Sequence, residues 1–223
     1  MCFSATANFV GSGVLGTVGA MTLTRVKHRR ELLFASLPTL FAVHQLIEGF
    51  VWLGLDGSFG GASQAVVRDM GAAFVLFADG LLPFLLPLSI YLFEASRERR
   101  RWMLPFFIVG AGTTVYSLWG LMAYPLQIYD RGNSIVYFNQ AINNNTLAVL
   151  YVVATCGSLF FSKVRAMVWF GGANLAILLV VMAVKRYAFT SIWCAGAAVA
   201  SVIILIYFWR SVGVRPFRYL TTV

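Results

Sequence analysis

His44, Gln45 and Glu48 stand inside HQLIEGFVW, a run otherwise apolar enough to cross a bilayer. At 3.6 residues per turn these three polar side chains share one helical face with Phe41 and Trp52, while Leu46, Phe50 and Val51 fall mostly elsewhere. They therefore form a stripe. A charged group at the centre of a membrane helix costs at least ~2.5 to 3.5 kcal/mol on insertion scales, so it ordinarily faces a bundle interior or wet cavity and finds a partner there. The stripe is accordingly the candidate site. Its residue types allow three chemistries: a hydrogen-bonded structural network, a proton or ligand site in which carboxylates share protons, or a metal site.

Other polar residues reach the same depth. Counting 1.5 Å per residue along antiparallel helices puts His44 near the midplane, Glu48 roughly 6 Å outward and Asp79 about 3 Å outward, with Asn8 and Tyr116 in the same outer-half layer. A His44, Glu48, Asp79 cluster is the expectation. Two carboxylates close together in low dielectric share protons, whereas a cation would hold both ionised. His44 and Glu48 at i and i+4, with Asp79 third and water fourth, have the donor set of a catalytic zinc site. The chain's other histidine, His28, is in a basic loop and adds no ligand. Cys2 is a further candidate ligand, separated from His44 by about 16 Å of depth.

The elements that must position these groups are membrane helices. A 223-residue chain that is 60% hydrophobic and 11% charged, with mean hydropathy +0.80, lacks the polar surface a soluble domain needs. Seven apolar segments fall near 4–24, 33–55, 70–94, 103–124, 144–161, 166–184 and 191–209, each near the ~20 residues of a span. Of 17 Lys and Arg, 13 follow the odd-numbered segments, in 25–30, 97–101, 163–165 and 210–218. That bias predicts one all-α domain over 1–223, a polytopic seven-helix bundle in the cell membrane with its N-terminus outside and C-terminus cytoplasmic. It assigns the net charge of +9 to topology and not to nucleic acid. The first apolar run is followed by Arg25, Lys27, Arg29 and Arg30 and is expected to remain as a helix without signal cleavage. Cys2, Cys156 and Cys194 have no paired spacing, which argues against a disulfide framework or zinc ribbon.

Within the segments, Ser4, Asn8, Ser12, Gly16 and Ala20 read as a packing stripe at four-residue spacing. Pro83 and Pro87 each remove a backbone donor, predicting a kink beside Asp79. The loop 125–143 is expected outside, where it could cover a cavity, and Asn143, Asn144, Asn145 and Thr146 supply N-caps for the next helix. Gly171, Gly172 and Asn174 read as close packing with one amide bonded across an interface.

MCFSATANF and HQLIEGFVWLGL together resemble an uncharacterised family of small integral membrane proteins that begin with MCFSATASF and carry H-Q-x-x-E-G-x-x-W. The resemblance runs along most of the chain and singles out Cys2, Phe3, Ser4, His44, Gln45, Glu48, Gly49 and Trp52, with Asn8 where the family has Ser. It implies membrane class and site choice and supplies no reaction.

These observations predict a protein that binds or transports a small ligand, ion or proton through His44, Gln45, Glu48, Asp79, Asn8, Tyr116 and Trp52. A zinc-dependent membrane hydrolase using His44, Glu48 and Asp79 is the alternative, and a structural membrane subunit the second alternative. The bilayer is the one partner the composition names; oligomeric state is left open.

Overall fold

Ser4 starts the first helix by accepting a hydrogen bond from Ala7 N at 3.2 Å, and an uninterrupted run of small and apolar residues carries it on as α1 (Ala5–Leu23). The computed structural model describes residues 4–131, 134–184, 196, 198 and 200–210. Cys2, Phe3, Lys185, Cys194 and most of the first half of the expected segment 191–209 lie outside the described residues. After α1 come α2 (Arg29–Leu55), α3 (Gly60–Phe93), α4 (Arg97–Ala123), α5 (Asn145–Phe160), α6 (Arg165–Val184) and α7 (Val202–Arg210). Among the described residues these are seven helical stretches, and three of them, α2, α3 and α4, are long and apolar enough to cross a membrane. The protein is thus all-α in its main architecture, with the helices of a membrane protein.

The largest differences between observed and expected boundaries are at the starts of α2, α3 and α4, which precede the apolar segments. α3 starts ten residues before the expected 70, and α4 takes in the charged run from Arg97. Helical hydrogen bonding does not require apolar side chains, so polar stretches extend a helix beyond its apolar part. Near Ser36 α2 bends, the hydroxyl bonding back to Leu33 O at 2.8 Å, and Pro38 sits in the first turn of the following stretch.

The expected kink beside Asp79 is a π-helical turn over Leu76–Leu81. Leu82 N bonds to Phe77 O, five residues back. The carbonyl of Ala78 would then look to residue 83, a proline without an N–H, and Tyr151 Oη on α5 takes that place, donating to Ala78 O at 2.9 Å. A second π turn, Val153–Gly157, interrupts α5.

The loop between α4 and α5 contains structure the sequence reading did not anticipate. β1 (Gln127–Asp130) and β2 (Ile135–Phe138) pair antiparallel, Ile128 opposite Tyr137. Ile135, Val136 and Tyr137 are buried, and Ile135 and Tyr137 join Val51, Trp52, Phe74 and Val75 in a core cluster separate from the larger one around Phe34, Phe41, Phe170 and Phe208. The asparagines hold this cap in place. Asn139 Nδ2 donates to Gly120 O and Tyr124 O at 3.1 and 3.0 Å while its Oδ1 accepts from Ala141 N and Ile142 N. Asn144 is the N-cap of α5, accepting from Leu147 N at 2.8 Å.

Candidate functional site

α1 and α2 lie against each other closely enough to share polar groups. Ser12 Oγ donates to Ala42 O at 2.8 Å, and a Cβ on Gly49 would sit 2.6 Å from the Phe9 ring, so only glycine admits this approach. The buried face of α1 runs through Asn8, Gly11, Leu15, Gly19 and Thr22. This corrects the expected stripe: each four-residue step turns about 40° past a full circle, so Ser4 and Ala20 have rotated out and are exposed.

At the N-terminal end of this face Asn8 meets α2. Amide oxygen and nitrogen are assigned by their neighbours, and the orientation that satisfies them turns the Asn8 nitrogen to Glu48 Oε2 at 3.1 Å and to Gln45 Oε1. Its oxygen accepts from Trp52 Nε1 at 3.2 Å. One amide thereby binds positions i, i+3 and i+7 of α2, the spacing that aligns side chains on a helix. Asn8, His44, Gln45 and Glu48 are all 0% exposed, and Trp52 is buried. Gln45 Nε2 has no hydrogen-bond partner among the described residues.

His44 faces the other flank of α2. Its ring stacks on Phe74 of α3 with centroids 4.0 Å apart and planes 16° apart, and lies 4.8 Å from Phe77. Phe74 in turn stacks on Tyr137 of β2 at 4.4 Å and 15°. A column of three rings therefore runs from the interior histidine to the hairpin. Neither Nδ1 nor Nε2 of His44 has a hydrogen-bond partner among the described residues. A wholly buried imidazole with both nitrogens unpaired is uncommon, because each buried polar atom without a partner costs roughly 1 to 3 kcal/mol.

Of the expected site residues, the structure brings together Asn8, Gln45, Glu48 and Trp52, with His44 beside them. Asp79 and Tyr116 are not brought in. Asp79 is half-buried in the π turn, two residues beyond Phe77 and so roughly across the helix from the ring that touches His44. Its carboxylate makes no hydrogen bond or ion pair with any described residue. Among the described residues no three His, Cys, Asp or Glu side chains are grouped to hold a metal ion, so the expected zinc set of His44, Glu48 and Asp79 is not assembled. Tyr116 points outward from α4, 41% exposed, against Trp119 at 5.4 Å. Ser4 acts as a helix cap, and Asn174 bonds back to Phe170 O at 2.8 Å within its own helix. Cys2 lies outside the described residues.

Phe74 and Tyr137 are the site residues that sequence reasoning missed. Nothing in an apolar run marks Phe74, but Gln-Ile-Tyr-Asp and Ile-Val-Tyr-Phe flanking Arg-Gly-Asn-Ser carry the β-branched and aromatic pattern of a hairpin. Nearby, a groove of about 350 Å³ opens between Gly54, Leu55, Ser63, Gln64, Val67, Arg68, Leu126 and Ile128. Its floor begins two residues past Trp52 on α2.

Fold and site together define a helical membrane protein with a sealed polar cluster between its first two helices, capped by a β-hairpin. Residues 1–217 match DUF6629, a family of unknown function, and the chain belongs to that family. No curated protein and no solved structure matches it.

Proposed function

We propose that this chain is a multi-pass membrane protein that binds or moves a small ligand, ion or proton at the polar cluster, and that the occupant is a proton accepted by His44. The observation that carries this reading is the pair of unpartnered, fully buried His44 nitrogens. A side chain with no exposed surface has no room beside it for a bulky ligand, and a ring nitrogen without a partner among the described residues is a free acceptor for a proton. Glu48, one turn away on the same helix, is the compensating negative charge, and Asn8 and Trp52 hold the Glu48 face in register. The column His44, Phe74, Tyr137 links the site to the hairpin, which suits a sensor or a proton-linked carrier.

Seven spans with the N-terminus outside belong to the same proposal, supported by the 13 of 17 basic residues that follow odd-numbered segments. Cysteine-accessibility labelling that found both termini in the cytoplasm would refute that topology.

Two histidines make the proton reading directly testable. In the full chain labelled at imidazole nitrogen and reconstituted in lipid, His28→Gln leaves His44 as the single imidazole signal. That signal should change protonation as pH is lowered from neutrality through the acid range, and Glu48→Gln should displace the change. A His44 signal that stays neutral and unmoved across this range excludes a proton site and leaves a structural network. Dye-monitored pH gradients in proteoliposomes then separate binding from carriage.

A further inference from the structure

One end of the helix bundle is strongly basic, and the structure shows how its acids are withdrawn. The junctions α1–α2, α3–α4 and α5–α6 meet there. Arg99 Nη1 donates to Phe161 O at 3.3 Å, Lys163 N to Glu94 Oε2 at 3.3 Å, and the Arg25 guanidinium lies 4.6 Å over the Trp209 ring of α7. Phe34, at the start of α2, touches both Phe93 at the end of α3 and Phe170 of α6. Lys27, Arg29, Arg30, Arg97, Arg101 and Arg165 are all exposed on this end.

Three of the chain's eight acids belong to these junctions, Glu31, Glu94 and Glu98. Two of them face inward. Glu31 is 8% exposed and its Oε2 accepts from Lys27 N and His28 N at 3.0 and 3.2 Å. Glu94 is 6% exposed, with Oε1 accepting from Ser96 N and Oε2 from Lys163 N. Among the described residues backbone amides, and not guanidinium groups, receive these carboxylates. Of the acids at these junctions only Glu98 is exposed to offset the cations.

We infer that this face binds the anionic headgroups of the bilayer in which the protein sits, phosphatidylglycerol or a lipid of the same charge. Topology alone needs basic residues in the loops. It does not need the acids beside them turned inward, and that arrangement leaves exposed cations at the helix ends on this side of the bundle. Arginine's planar fork matches a phosphodiester with two parallel N–H donors, and five of the six named positions are arginine.

The full chain, purified in neutral detergent, is titrated with phosphatidylglycerol and separately with phosphatidylcholine while thermal unfolding is followed, and native mass spectrometry reads the lipid retained. Phosphatidylglycerol should raise the melting temperature and remain bound, phosphatidylcholine should do neither, and the effect should weaken as salt rises. The variant R29Q/R30Q/R97Q/R101Q, melting normally in phosphatidylcholine, should lose affinity for the anionic lipid by roughly fivefold per arginine removed. Equal shifts with both lipids, or an equal shift with inorganic phosphate alone, would overturn the inference. So would anionic lipid absent from the wild-type protein by mass spectrometry, whatever the variant does.

Discussion

The Asn8 amide of α1 donates to Glu48 Oε2 of α2 at 3.1 Å, inside a layer where neither residue has exposed surface. The same amide reaches Gln45 and Trp52, so a single side chain ties the first helix to three positions of the second. Glu48→Gln should keep this contact, since an amide oxygen still accepts from Asn8 and the charge is gone. Glu48→Leu should cost about 1 to 3 kcal/mol by leaving one Asn8 N–H without its acceptor while the other still reaches Gln45. Thermal unfolding of both variants in detergent decides it: if Leu melts as high as Gln, the Asn8–Glu48 bond contributes nothing to stability.

His44→Phe should separate stability from function. The ring column with Phe74 and Tyr137 survives, and two buried nitrogens without partners disappear, so the variant should melt at or above the wild type. Any pH response in ligand binding or proton flux should vanish with it. A variant that keeps its pH response would move the titrating group elsewhere.

Packing of α4 on α3 gives a paired control. A Cβ on Gly110 would run into the backbone carbonyl of Pro83, which cannot step aside, whereas a Cβ on Gly112 meets nothing within 4 Å. Gly110→Ala should lose about 1 to 3 kcal/mol through overpacking, and Gly112→Ala should gain up to ~1 kcal/mol from helix propensity. Melting curves in which the two variants coincide would contradict this helix pairing.

Asn139→Ala should loosen the hairpin cap without unfolding the helices. Four hydrogen bonds converge on that amide, two of them to the end of α4 at Gly120 and Tyr124. Hydrogen exchange should rise in residues 127–138 and hold steady in α2 and α3. Uniform exchange across all three regions would mean that the cap is anchored by Ile135 and Tyr137 alone.

What the amino-acid sequence determined is the class of the molecule and the helical face that its polar groups share. Composition and apolar runs require membrane helices, and the spacing of His44, Gln45 and Glu48 requires one striped face, because helical periodicity is local and independent of neighbours. The count of residues from each helix end also placed Asn8 in the layer it occupies. Depth is one coordinate, however, and partner choice needs the rotation of each helix about its own axis. That rotation is set by packing: Gly49 lets Phe9 in and brings α1 to α2, while Phe74 and Phe77 are the α3 residues turned to His44, and Asp79, five and two positions further on, lies off that face. Asp79 and Tyr116, expected in that layer, are not brought to the cluster, and Tyr116 faces outward from α4. The hairpin was written in the sequence as two β-prone runs about a Gly-Asn pair, but that it folds back to set Tyr137 on Phe74 depends on contacts 63 positions apart, which only the tertiary structure could decide.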